Sequence, residues 1–322
     1  MKIRITQQVI VFILFVVLFV GFAAFLPGFF SKGNLLTLLQ NVAILGILGL
    51  AMSVVVIGRG VDLSLVATLA VPPGLVLQMV EHGHSVPSAF LAALALTIAF
   101  GLVNGFLIAY AEVPSLFATL ASGLFLAGLG QVAFFQIDVV HMNPALSGLS
   151  LIGRGTLAGV PTPVVMFALT ALAVAFFLKV LRVGASIYAI GDNPYAARVS
   201  GIAVRPIVVL QYVLSALIGA FAGLVLAASI DSMPTRIFNS TLIYDVILVV
   251  VLGGIGLSGG RGGVLNAIVG TLLIGTMLNA MTILNLSYSG QNLVKGLVLL
   301  IAILADSLVN PRNEETTQQG DI

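Results

Sequence analysis

Residues 43–57 read Ala43-Ile-Leu-Gly-Ile-Leu-Gly-Leu-Ala-Met-Ser-Val-Val-Val-Ile57, an apolar run with no charge and a single hydroxyl. The run from Val9 to Phe25 has the same character. Continuous apolar sequence of this length matches a membrane-crossing helix, which needs about 20 apolar residues. Strands of a membrane barrel instead alternate apolar and polar positions over about ten residues. These stretches do not alternate, so the spanning elements are helices.

Composition gives the same answer. The chain has 322 residues, 60% of them hydrophobic, with only 13 basic and 11 acidic side chains. A soluble domain carries about 25% charged residues, and 7% cannot cover a globule of this size. Apolar runs are expected near 9–30, 35–57, 62–80, 88–110, 115–137, 161–180, 207–230, 241–257, 264–284 and 292–309. The predicted class is therefore an all-α polytopic membrane protein with about ten transmembrane helices, arranged as a single unit over residues 1–309. The polar stretch 310–322 reads as a disordered cytoplasmic tail.

Basic residues predict the orientation, because they concentrate on the cytoplasmic side. With the N-terminus inside, Lys2, Arg4, Arg59, Lys179, Arg182, Arg198, Arg205, Arg261 and Arg312 are internal. Lys32, Arg154, Arg236 and Lys295 are external. Both termini are thus expected in the cytoplasm, and the segment 181–206 becomes a cytoplasmic loop.

Several chemistries find no support. Cysteine is absent, which removes disulfides and thiolate sites. None of the four lysines follows a glycine, so a phosphate-binding loop cannot be built here. No catalytic residue, metal site or nucleic-acid partner is expected. Gly254-Ile-Gly-Leu-Ser-Gly259 matches a dinucleotide fingerprint in letters only, since no strand precedes it. It reads instead as a tight turn centred on Gly253, Gly254, Gly259 and Gly260.

Charged and amide residues within the spans are the candidates for a translocation pathway or gate: Gln40, Asn41, Arg59, Asp62, Ser64, Asn104 and Asn279. Arg59 and Asp62 fit either a broken helix at membrane depth or a cytoplasmic turn in which the two pair. Pro72-Pro73 is expected to break the following helix. Gly101-x-x-x-Gly105 and Gly219-x-x-x-Gly223 predict close helix packing.

The loop is the most informative segment. Gly191-Asp-Asn-Pro is turn chemistry in which Asn193 can cap a helix that starts at Pro194 and ends at Gly201. Gly184 to Ile202 also resembles a pattern, G-x-x-I-Y-A-I-G-x-N-x-x-A-A-R-x-S-G-I, of the permease subunits of bacterial ABC importers of the ribose and other monosaccharide type. Gly58 to Val66 is similar to that family's G-G-x-D-L-S-x-G, with Arg59 and Val66 replacing glycines. Gly253 to Gly262 resembles its G-G-T-S-L-x-G-G-x-G, with Ile255-Gly256 in place of Thr-Ser. Before that turn the chain reads Tyr244-Asp245-Val, where the family often reads L-D-A.

The resemblance implies a transporter subunit rather than an enzyme, multi-pass in the bacterial inner membrane, moving a monosaccharide or related polyol inward. It implies a second permease copy, a cytoplasmic ATP-binding subunit that holds ATP and magnesium, and a periplasmic solute-binding protein. This chain would need no cofactor of its own. Arg182, Gly184, Tyr188, Gly191, Asn193, Ala196, Ala197, Gly201 and Ile202 would form the segment that couples to the ATPase. A nucleoside, a branched-chain amino acid or a signalling sugar remain alternative solutes, and ion-coupled transport is the rival mechanism.

Overall fold

A computed structural model describes residues 7–309. The helices α1 (Gln7–Phe25), α2 (Lys32–Ile57), α3 (Leu65–Glu81), α4 (Val86–Ala109) and α5 (Ser115–Leu129) come first. A π-helical turn at Gly130–Phe135 leads to strand β1 (Val139–His141) and the one-turn helix α6 (Ser150–Gly153). The short strands β2 (Thr156–Leu157) and β3 (Val160–Pro161) then precede α7 (Thr162–Val180), α8 (Arg182–Asp192), α9 (Pro194–Val199) and α10 (Val204–Ile230). Strand β4 (Ser232–Pro234) leads to α11 (Leu242–Leu252), α12 (Val264–Ile283) and α13 (Tyr288–Val309).

Among the described residues, seven segments are long and apolar enough to cross a membrane, namely α1, α2, α4, α5 with its π-helical turn, α7, α10 and α12. The shorter apolar helices α3, α11 and α13 pack among them. The sequence-predicted tail 310–322 lies outside the described residues.

Burial orders the bundle from inside to outside. From Val42 to Ile57 all but one residue of α2 is buried, and α3 is buried over most of its length. Around this centre, α10 packs on α2, α3 and α4, while α12 packs on α1, α2 and α11. The outer helices turn large apolar side chains outward, among them Val17 on α1, Leu91 on α4, Phe125 on α5, Leu172 on α7 and Leu300 on α13. In water such a surface would drive aggregation, whereas lipid solvates it.

Local chemistry sets the helix ends. Oγ of Ser31 accepts from the Asn34 N–H to start α2, and Oγ of Ser85 accepts from the Ser88 N–H to start α4. The two small-residue pairs act as predicted, both against neighbouring helices. Gly101 and Gly105 of α4 lie against the backbone of α10 at Val213 and Val209. Gly219 and Gly223 of α10 lie against α3.

Two expectations are corrected. Pro72 and Pro73 do not break a helix, because α3 continues through both to Glu81. Proline's fixed backbone angle suits a helix, and the cost is a missing donor and a crowded carbonyl. Gly223 of α10 packs on the Leu69 carbonyl, the one that Pro73 leaves without its helical donor, so closely that a Cβ would lie 1.8 Å from the oxygen. The segment 181–206 is also more ordered than a loop with one short helix, because Arg182–Asp192 forms α8, with Gly184, Ile187, Ile190 and Gly191 on its buried face.

The short strands pair at one end of the bundle. β1 and β4 are antiparallel, with Val140 opposite Met233, and β2 pairs with β3. Arg236 bonds Asp138 at 2.6 Å, and Arg154 pairs with Asp231. Segments 138–160 and 231–241 therefore share that end.

Candidate functional site

At the opposite end, three segments far apart in sequence meet. The Gly260 N–H donates to the Ile57 carbonyl at 2.8 Å, and the Tyr188 hydroxyl donates to the Gly262 carbonyl at 2.9 Å. Gly191 sits between them so closely that a Cβ would lie 1.9 Å from the Ile57 oxygen and 2.4 Å from the Gly260 nitrogen. The Gly-rich turn can take this shape because Gly254, Gly259, Gly260 and Gly262 adopt positive φ. Gly253 ends α11, and its carbonyl accepts from Nδ2 of Asn266 at 2.7 Å. Oδ1 of Asn266 in turn accepts from Gln8 on α1.

The short helix follows the sequence expectation in detail. Oδ1 of Asn193 accepts from the Ala196 N–H at 2.9 Å, Pro194 opens α9, and Gly201 at φ +83° closes it. Ala197 is buried against the bundle, while Tyr195, Ala196, Arg198 and Val199 are exposed. Ile202 donates its N–H back to Ala197 at 3.0 Å. Arg182 opens α8 at the surface. Tyr188 is half-buried, and burial raises its hydroxyl above the ordinary tyrosine range, so it remains a donor at neutral pH.

Behind these segments lies a buried polar network. The chain between α2 and α3 runs through turns at Gly58–Arg59 and Leu63–Ser64. It is a non-helical connection, with Asp62 and Ser64 buried and Arg59 at φ +71°. Oδ1 of Asp62 accepts from the N–H and hydroxyl of Ser64 at 3.0 and 2.5 Å, and Oδ2 accepts from Ser215 of α10 at 2.7 Å. Nδ2 of Asn104 on α4 donates to the Ser64 hydroxyl at 2.9 Å. Backbone donors of Val61 and Leu63 reach Ser115 and Thr119 of α5 at 3.2 and 3.0 Å. The hydroxyl of Tyr212 on α10 donates to the Val61 carbonyl at 3.4 Å, so side chains of α5 and α10 satisfy the backbone of this buried connection.

A cavity of about 460 Å³ opens beside this network, bordered by Arg59, Tyr195, Arg198, Arg205, Gln211 and Tyr212. Arg205 pairs with Glu112 at 3.0 Å and lies 5.4 Å from the Tyr110 ring centre. Nε2 of Gln211 is buried against Gly58 without a partner among the described residues.

The pathway candidates fall into two groups. Arg59, Asp62, Ser64 and Asn104 gather at this end. Asn41 and Asn279 lie on a groove near the other end, with Gln40 beside Asn41 on α2 but outside the groove lining. In that groove Asn279 and Asn34 exchange two bonds of 2.9 Å. Asp245 of α11 and Lys295 of α13 form a buried ion pair of 2.9 Å that sequence reasoning missed, with Nζ also 3.1 Å from Thr241. Opposite charges inside two apolar helices were the available signal.

The sequence pattern described as "Branched-chain amino acid transport system / permease component" matches residues 34–303. The chain belongs to this permease family. The ribose import permease protein of Escherichia coli K12 is 35% identical over 285 residues, 87% of this chain and 88% of that protein. The ribose import permease protein of Bacillus subtilis 168 is 35% identical over 281 residues, 87% of this chain and 86% of that one. The galactofuranose transporter permease protein of Escherichia coli K12 is 33% identical over 276 residues, 85% and 80% of the two chains. No solved structure matches the permease significantly. The permease is a multi-pass protein of the cytoplasmic membrane and not itself an enzyme. The converging segments are those whose motifs resemble the importer pattern, so that resemblance has a common location in the fold.

Proposed function

We propose that this permease carries a monosaccharide or related polyol into the cytoplasm, driven by a separate ATPase and supplied by a solute-binding protein. Ten spans, with α3, α11 and α13 crossing beside the seven longer segments, put both termini and α8–α9 on the cytoplasmic side. A second copy of the chain completes the transporter, and ATP and magnesium stay with the ATPase.

The carrying observation is the contact of α8 with both Ile57 and the Gly-rich turn. A displacement of α9 by a docked ATPase would press on the connections that end α2 and α11, and through Asp62 and Ser215 on α10. A partner that binds one arrangement of these helices more tightly shifts the population toward it. The similarity to ribose and galactofuranose permeases favours a sugar over an amino acid or nucleoside.

The test is uptake of radiolabelled D-ribose and D-galactose into proteoliposomes holding permease, ATPase and binding protein, with ATP enclosed and ion gradients collapsed. Uptake that requires ATP supports the proposal. Uptake that requires an ion gradient and ignores ATP contradicts it.

A further inference from the structure

The groove near the end of the bundle opposite α9 sets the amides of Asn34, Asn41 and Asn279 and the carboxylate of Asp245 into a mostly apolar lining. It encloses about 440 Å³ between α2, α10, α11 and α12, within the roughly 300–1,000 Å³ usual for small-molecule sites. Asn41 is exposed on it, about 13 Å along α2 from Lys32 at 1.5 Å per residue. The exposed hydroxyls of Thr37 and Thr282 satisfy themselves on carbonyls of their own helices, Gly33 at 3.1 Å and Leu278 at 3.0 Å. Asn41 makes no such bond among the described residues. An amide facing hydrocarbon without a partner is costly, so this face belongs to water or to a polar ligand.

Asp245 supplies the second, independent observation. Its carboxylate is buried, lines the same groove and is held by Lys295. Both carboxylate oxygens contact the ammonium, Oδ1 at 2.9 Å and Oδ2 accepting at 3.0 Å, and Oδ1 receives no other hydrogen bond among the described residues. Because Lys295 balances the charge, the groove offers acceptors without a net field. Asn279 retains one N–H beyond its exchange with Asn34. Leu38, Ile44 and Leu278 add apolar surface. Acceptors, a donor and apolar patches in one neutral groove fit a molecule with many hydroxyls and C–H faces.

We propose that this groove is the water-filled receiving site for a neutral polyhydroxylated solute, with the Asp245 carboxylate, positioned by Lys295, accepting hydrogen bonds from solute hydroxyls. This rests on the import reading and adds the residues that meet the solute first.

The chain has no cysteine, so each substitution introduces its sole thiol, and reaction of the partner subunits is subtracted with the cysteine-free permease. Asn41→Cys and, as a lipid-facing control on α7, Leu172→Cys are placed in the complete transporter in membranes and treated with a membrane-impermeant methanethiosulfonate. Asn41→Cys is expected to react at least tenfold faster than Leu172→Cys, and at least threefold more slowly with saturating D-ribose and binding protein present. Equal rates for the two variants overturn the water-filled groove. So does oxidative cross-linking of two copies through position 41 without reagent access. Fast labelling unaffected by the sugar overturns the solute contact.

A second comparison tests Asp245. Asp245→Leu with Lys295→Met removes both charges and the side-chain acceptors together, so a purely structural ion pair predicts uptake near the wild-type level. A carboxylate that meets solute predicts at least a tenfold loss with normal membrane abundance, and wild-type uptake in the double variant overturns that role. ATP-driven uptake by the natural chain is measured in parallel. Normal uptake with failed labelling condemns the groove alone, whereas absent ATP-driven uptake condemns the import reading itself.

Discussion

The hydroxyl of Tyr188 on α8 donates to the carbonyl of Gly262, 2.9 Å away and 74 residues later in the chain. This bond ties α8 directly to the Gly-rich turn between α11 and α12. Tyr188→Phe keeps the ring and removes the bond, a loss of about 1 kcal/mol. The expected outcome is lower sugar uptake per ATP hydrolysed, with ordinary amounts of protein in the membrane. Burial raises the hydroxyl's pKa, so the bond persists wherever tyrosine is neutral and weakens only as pH climbs above the ordinary tyrosine range. The difference between variant and natural protein is therefore constant from about pH 6 to 8, which uptake measured across that range checks.

Asp62 collects two donors from Ser64 and one from Ser215. Asp62→Ala leaves these buried groups without their acceptor, costing about 1–3 kcal/mol for each unsatisfied group. Thermal unfolding in detergent should show a clearly lowered Tm, with a smaller drop for Asp62→Asn, which retains one acceptor oxygen.

Gly223 lets α10 rest on the carbonyl that Pro73 leaves free on α3. A Cβ there would collide with the Leu69 oxygen and Pro73 ring. Gly223→Leu should therefore separate the helices and sharply reduce membrane abundance, read by immunoblot, whereas Gly128→Leu, at a position with open space around it, should not.

Lys295→Met leaves the buried Asp245 carboxylate without its counter-ion. Breaking a buried pair from one side costs about 3–5 kcal/mol. The stability loss should be largely reversed by adding Asp245→Asn, which unfolding of the single and double variants would reveal.

The sequence made local features legible and left distant contacts hidden. Asn193, Pro194 and Gly201 announced α9 because capping acts over three or four residues. The apolar runs announced the long helices for the same local reason. α8 is masked in the sequence by the turn chemistry of Gly191-Asp-Asn-Pro194 that follows it, although Gly184, Ile187 and Ile190 carry a helical spacing. Pro72-Pro73 misled because the compensating partner, Gly223, lies on another helix. The 50 residues between Asp245 and Lys295 concealed their pairing, and nothing local could show that Gly191 packs on Ile57 and Gly260. The two groups of pathway candidates could be separated only once α2, α4 and α12 had positions.

The coupling role of α8–α9 is the central claim, and Gly191→Val addresses it most directly. The added side chain would collide with the Ile57 carbonyl and the Gly260 nitrogen. Binding-protein-stimulated ATP hydrolysis and D-ribose uptake should be measured together in proteoliposomes for this variant and the natural chain. The account predicts that the variant reaches the membrane but loses both uptake and stimulation of hydrolysis. Normal stimulated hydrolysis with normal uptake in Gly191→Val would contradict it.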